Sequence, residues 1–298
     1  MTASQAPALP PGQVLIDVVT LQAWMADGRA LCVLDARSDP ANGSAPGSGR
    51  AAWQAGHVPG ALHADLDTQL SDHRVHGQGR HPLPDADDFA RQLGRWGIGP
   101  QTWVVAHDAA DGSLAAARLW WLLRLHGHQR VAVLDGGLAA WIAAGGPLTT
   151  AVSEPLALAA YPGQRNEERW LRTDQVQARL GQRPAWLLDA RAAPRYAGAQ
   201  EPIDPVAGHV PGALNLPYAD MVADGRLRAP AQIRARVREV WGEASLQDAV
   251  LMCGSGVTAC HLLLALEHAG LPGARVYPAS WSGWIDDCLR PVAVGATV

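Results

Sequence analysis

The chain has 298 residues, 48% of them hydrophobic and 17% charged, with a formal net charge of −4. This composition demands a packed core and excludes general disorder, and the length suits one large domain or two of ordinary size. The weakly acidic balance gives no electrostatic case for nucleic acid or an anionic membrane surface, and no apolar run is long enough to span a bilayer.

Residues 1–11 lack the basic start and apolar centre of a signal peptide, and the four cysteines form neither a disulfide framework nor a Cys-x-x-Cys zinc pattern. A reducing, cytoplasmic setting is therefore expected, with no metal and no cofactor. Short apolar runs at 14–16, 31–34, 103–106 and 131–134 read as buried strands. The stretches 21–26, 86–96 and 113–126 read as helices, with Thr20 and Asp85 as N-caps and Gly127 as a C-cap. Strands alternating with helices predict an α/β fold, a mostly parallel sheet flanked by helices.

The chain then repeats itself. Gly56-His57-Val58-Pro59-Gly60-Ala61-Leu62 recurs as Gly208-His209-Val210-Pro211-Gly212-Ala213-Leu214. Val33-Leu34-Asp35-Ala36-Arg37 recurs as Leu187-Leu188-Asp189-Ala190-Arg191. A looser echo links the stretch from Val131 to Trp141 with that from Arg275 to Trp284. Three ordered matches predict two copies of one domain, at 14–148 and 170–296, joined by a linker over 149–169. Two copies are too few for a solenoid, so each needs its own core.

The most informative stretch is Cys253-Gly254-Ser255-Gly256-Val257-Thr258. It follows an apolar run, Ala249-Val250-Leu251-Met252, and precedes a helical pattern. It therefore sits at the carboxyl end of a strand and the start of a helix, where open α/β sheets bind ligands. The glycines let backbone N–H groups turn inward, and the helix start adds partial positive charge. Such surroundings stabilise a thiolate, the form of cysteine that attacks. The first copy reaches the matching place with no cysteine, as Val105-Ala106-His107-Asp108-Ala109-Ala110-Asp111-Gly112-Ser113.

Together these segments resemble the tandem-domain rhodanese family, the thiosulfate and 3-mercaptopyruvate sulfurtransferases, over nearly the whole chain. The resemblance implies two rhodanese-like domains, of which only the second carries the nucleophile. It implies that Cys253 takes a sulfur from a donor, becomes a persulfide, and passes it to a thiophilic acceptor. That acceptor would be cyanide, a small thiol, or a thioredoxin-like or other protein thiol. The N–H groups of Gly254, Gly256, Val257 and Thr258 would cradle the anionic sulfur, helped by the Ser255 and Thr258 hydroxyls. The loop has the form usual in the mercaptopyruvate branch, whereas animal thiosulfate enzymes usually place basic residues after the cysteine. Arg195 matches a substrate-binding arginine of both branches. A second arginine common in the mercaptopyruvate branch is replaced here by Ile203. His57 matches a first-domain histidine that works with the loop serine in that branch, and is expected to be catalytic.

Competing readings are weaker. A cysteine phosphatase needs an arginine six residues after its cysteine, and Ala259 stands there. A non-catalytic binding module fits only the first copy, and a persulfide carrier serving a protein partner is not separable by sequence. Cys32, Cys260 and Cys288 read as small buried hydrophobes. His63, His73, His76 and His81 lack carboxylate partners for a metal site and read as a loop near the domain interface. The tryptophans read mainly as core, and a monomer is the default.

Overall fold

The computed structural model describes residues 9–10, 12–38, 48–113, 115–181 and 186–295. The chain divides into two compact units. The first comprises Met1–Leu70 and Pro84–Asn166; the second comprises Glu167–Val298 together with Ser71–Leu83. A short piece of the first half of the sequence thus belongs to the second unit, which the repeat does not reveal.

The first unit runs β1 (Leu15–Ile16), α1 (Val18–Ala26), β2 (Leu31–Asp35), α2 (Ser48–Ala55), β3 (Leu62–His63), α3 (Ala86–Arg95), β4 (Trp103–His107), α4 (Ala116–Leu125), β5 (Val131–Leu134) and α5 (Gly137–Ala143). Its five strands pair in parallel in the order β1-β5-β4-β2-β3. All four strands expected in this unit from apolar runs are present. Asp85 caps α3, accepting from the N–H groups of Asp87 and Asp88. The cap of α1 is Asp17 rather than Thr20, because the Asp17 carboxylate takes the Thr20 N–H. Helix α4 starts at Ala116 instead of residue 113, because the preceding turn folds around Asp108. His126 closes α4, and Gly127 follows it with φ +84°.

The second unit runs α6 (Thr173–Gln177), β6 (Leu187–Asp189), α7 (Ala193–Tyr196), β7 (Leu214–Asn215), a small antiparallel pair β8 (Val222–Ala223) and β9 (Arg226–Leu227), α8 (Pro230–Trp241), β10 (Val250–Met252), α9 (Val257–His268), β11 (Arg275–Val276) and α10 (Ser280–Trp284). Its main sheet is also parallel, in the order β11-β10-β6-β7. The central strands β4, β5, β6 and β10 are buried on both faces, which explains their unbroken apolar runs. Each unit has its own apolar core: Leu21, Trp24, Val105 and Trp141 in the first, Leu187, Met252, Trp281 and Trp284 in the second. No described helix is long and apolar enough to cross a membrane.

Candidate active site

The register of the two sheets identifies equivalent positions. His107 pairs with Asp35 in the first unit as Met252 pairs with Asp189 in the second. Asp108 therefore occupies in the first unit the place that Cys253 occupies in the second. The Asp108 carboxylate accepts from the backbone N–H groups of Ala110, Gly112 and Ala115 at 3.2, 3.0 and 3.4 Å. That turn is filled by its own anion, so it offers no cradle to an incoming one.

In the second unit the turn encloses sulfur. Cys253 follows the last residue of β10 and is 1% exposed. Gly256 adopts φ +80° as the N-cap of α9, and its N–H points at the Cys253 Sγ, 3.1 Å away. A Cβ at Gly256 would collide with the Pro278 carbonyl, so the residue must be glycine for both reasons. The start of α10 clamps the loop backbone from the other side. The Cys253 N–H donates to the Ser280 Oγ at 3.0 Å, and the N–H groups of Trp281 and Ser282 donate to the carbonyls of Cys253 and Gly254. Ser280 itself sits at φ +53°, a strained conformation for a residue with a side chain, held by its bond to the Tyr277 carbonyl. Val257 and half-buried Thr258 form the first turn of α9.

Ser255 is buried, and its Oγ lies 2.8 Å from the Nδ1 of His81. The histidine expected at this hydroxyl was His57, and the structure corrects that expectation. His57 belongs to the first unit, is fully buried and stacks on Trp53. Its Nδ1 lies 2.8 Å from the Trp53 carbonyl and its Nε2 3.2 Å from the Ala151 carbonyl. Its twin His209 stacks on Tyr196 and holds the Tyr196 carbonyl in the same way. In both units the backbone of this histidine pairs with a late segment, Thr149 or Ala293. The repeated histidine is thus a structural strut. His81 lies instead on the short segment Ser71–Leu83 that belongs to the second unit.

Three arginines and three acids crowd beside the loop. Arg191 is buried against Asp189, reaches the Gly208 carbonyl and lies over the Trp281 ring at 4.7 Å. Burial works against its charge, but Asp189, Glu201 and the charge at Cys253 hold its pKa above the ordinary value. Its twin Arg37 makes the matching contacts with Asp35 and the Gly56 carbonyl, so this pair too is repeated architecture. Arg195, on α7, grips Glu201 through both Nε and Nη2 and also touches Asp204 at 3.1 Å. Burial pushes the Glu201 carboxyl up, and the Arg195 bonds and two backbone N–H groups bring it below its usual range. Arg80, again from Ser71–Leu83, pairs with the other oxygen of Asp204.

The remaining cysteines stand apart from this chemistry. Cys260 is buried on α9 with its thiol on the Gly256 carbonyl, 3.1 Å away. Burial drives the Cys32 thiol up to about 12. Cys288 is exposed, against the expectation of burial.

The family model for the Rhodanese-like domain matches residues 17–144 and again 172–287. The chain belongs to the rhodanese family. A Pseudomonas aeruginosa protein named "Probable 3-mercaptopyruvate sulfurtransferase" is 46% identical over 84% of this chain and 88% of its own length. Rat thiosulfate sulfurtransferase is 34% identical over 91% of this chain and 93% of its own. Among solved structures, the 3-mercaptopyruvate sulfurtransferase of Leishmania major superposes with a TM-score of 0.83 at 30% identity, covering 96% of this chain and 77% of that one. Relatives of this chain thus carry both donor names.

Proposed function

We propose that this protein is a sulfurtransferase that takes sulfur from 3-mercaptopyruvate onto Cys253 and delivers it to a thiol or cyanide. The Cys253 thiolate attacks the donor's sulfur, an S–S bond forms, and the donor's carbon–sulfur bond breaks. The electron pair leaves as the enolate of pyruvate. The proton of the donor's thiol ends on that carbon, leaving pyruvate and an anionic Cys253 persulfide. An acceptor thiolate then attacks the terminal sulfur and returns Cys253 as thiolate, a double displacement through a covalent intermediate. The Gly256 N–H and the start of α9 support the anionic sulfur where it forms.

The observation that carries the donor choice is the Ser255–His81 pair, two residues from the nucleophile. A carbon leaving group must be protonated, and a hydroxyl bonded to an imidazole can relay that proton. Thiosulfate releases sulfite, a stable anion that needs no such help. The neutral Gly254-Ser255 sequence after the cysteine supports the same choice. All four cysteines are free thiols, which fits a reducing cytoplasm and a protein thiol as one acceptor.

Intact-mass spectrometry after treatment with mercaptopyruvate is expected to show one added sulfur, absent in Cys253→Ser. Sulfur found on another cysteine would overturn the nucleophile. Side-by-side kcat/KM values decide the donor, and a higher value for thiosulfate would reverse it.

A further inference from the structure

We infer that Arg165 is a positioning residue for His81: it holds the end of the segment that brings this imidazole to Ser255. This inference rests on the sulfurtransferase reading above and specifies what keeps that reaction's proton relay in place.

The segment Ser71–Leu83 leaves the first unit after Leu70 and returns to it at Pro84. Its neck is closed by the Asp72 N–H, which donates to the Pro82 carbonyl at 3.1 Å. Outside the neck, each flanking carbonyl meets a guanidinium. Arg118, fully buried on α4, donates to the Leu70 carbonyl through Nε and Nη2 at 3.3 and 3.2 Å. Half-buried Arg165 donates to the Pro84 carbonyl through Nη1 at 3.1 Å. Both bonds lie inside the first unit, whereas His81 meets Ser255 inside the second.

The path from Arg165 to the imidazole is short and stiff. It runs back along His81-Pro82-Leu83-Pro84, where each proline fixes its own φ and keeps the residue before it extended. The prolines also bring no N–H, so carbonyls are the handles by which this stretch can be held. Asp72 takes that of Pro82 and Arg165 that of Pro84. A displacement at Pro84 therefore reaches His81 instead of being absorbed by soft dihedrals.

Arg165 is itself anchored. The neighbouring Asn166 N–H donates at 2.8 Å to the carbonyl of Leu125, one of those that α4 leaves open at its C-terminus. Upstream, the Tyr161 N–H donates to the Ala90 carbonyl at 2.9 Å, and its hydroxyl lies 3.1 Å from the Nδ1 of His128. Between them, Gly163 packs so closely that a Cβ would collide with the His126 carbonyl. Both ends of the His81 segment thus hang from α4. One is held by Arg118 on the helix, the other by the stretch of chain that its last turn binds. The unit without a catalytic cysteine thereby takes part in the chemistry, by fixing the ends of the segment that carries the histidine.

The test asks whether Arg165 acts through His81. Arg165→Ala is expected to lower kcat with mercaptopyruvate about tenfold at nearly unchanged KM, because a misplaced relay slows the proton step and leaves donor binding intact. Arg165→Lys, which can still donate to the Pro84 carbonyl, should recover most of the loss. With thiosulfate, which needs no relay, kcat should stay within about twofold of the parent protein. Adding Arg165→Ala to His81→Asn should cost nothing further, since two residues that act through one group are not additive. A spectrum of protein labelled with 15N-histidine reads the placement without turnover, the His81 ring being assigned by its absence from His81→Asn. Its signals should shift or broaden in Arg165→Ala and return in Arg165→Lys. An equal loss with thiosulfate, a full tenfold loss on top of His81→Asn, or an unmoved His81 ring would overturn the assignment and leave Arg165 a role in stability alone. If Arg165→Ala does not fold, Arg165→Met keeps the apolar stem without the donor and decides by the same measurements. Failure of the wild-type protein to load sulfur from any donor would instead defeat the sulfurtransferase reading, and the histidine spectrum would still judge Arg165.

Discussion

Ser255 and His81 are 174 residues apart in the chain and 2.8 Å apart in space. Their pairing makes a donor-dependent prediction. Ser255→Ala and His81→Asn should each lower kcat with mercaptopyruvate by about a hundredfold, the low end of what a positioned proton relay supplies. With thiosulfate the loss should be much smaller, because sulfite departs without a proton. Equal losses with both donors would show that the pair only shapes the loop. Cys253 and Arg195 were readable from sequence because each sits in a short local motif. His81 and Arg80 were not, because nothing local distinguishes them. They lie on a segment rich in glycine and histidine that reads as an ordinary loop. His57 drew attention for the opposite reason: it stands in a conspicuous motif. The repetition of that motif in both halves was itself the signal of a structural role. Its twin His209 stands in the unit that holds Cys253 and makes the matching Nδ1 contact with a backbone carbonyl.

The strand-turn-helix around Cys253 works only with the backbone that Gly256 permits. Replacing Gly256 by alanine would force a side chain into the left-handed region, at a cost of roughly 1–2 kcal/mol. It would also drive the Cβ into the Pro278 carbonyl, adding to that cost. The urea midpoint should fall accordingly, and turnover should fall with it because the N–H aimed at Cys253 Sγ must move. A Gly256→Ala protein with unchanged midpoint and activity would show that this turn is not what holds the sulfur. At this scale the sequence was largely legible. Apolar runs marked the central strands because both of their faces are buried, and Asp85 marked a helix start because its carboxylate meets two N–H groups. What escaped were local competitions. Asp17 rather than Thr20 caps α1, and the turn closed on the Asp108 carboxylate delays the start of α4 to Ala116. The second case distinguishes the units: an aspartate carboxylate takes the amides of one turn, and a cysteine sulfur receives the Gly256 N–H in the other.

Across the whole molecule, the two-copy organisation was visible from the paired motifs, and the inclusion of Ser71–Leu83 in the second unit was not. Three histidines, spread over both units, couple folding to pH in one direction. Burial is the leading cause that lowers the pKa of His63 and His128 in the first unit and of His209 in the second. In the unfolded chain these imidazoles titrate near about 6.5, so between their unfolded and folded values the unfolded state binds more protons. The stability they support is complete above the unfolded value and is lost as pH falls through the folded values. Asp204 has the opposite sign, because its raised carboxyl favours the folded state at lower pH. Denaturant unfolding should therefore give a lower midpoint at about pH 5.5 than at about pH 7.5, with net proton uptake on unfolding at the lower value. Proton uptake can be read by calorimetry in buffers of different ionisation enthalpy. A midpoint that holds or rises on acidification would mean that these rings are protonated in the folded protein, with carbonyls such as Tyr196 for His209 and Arg130 for His128 accepting from imidazolium.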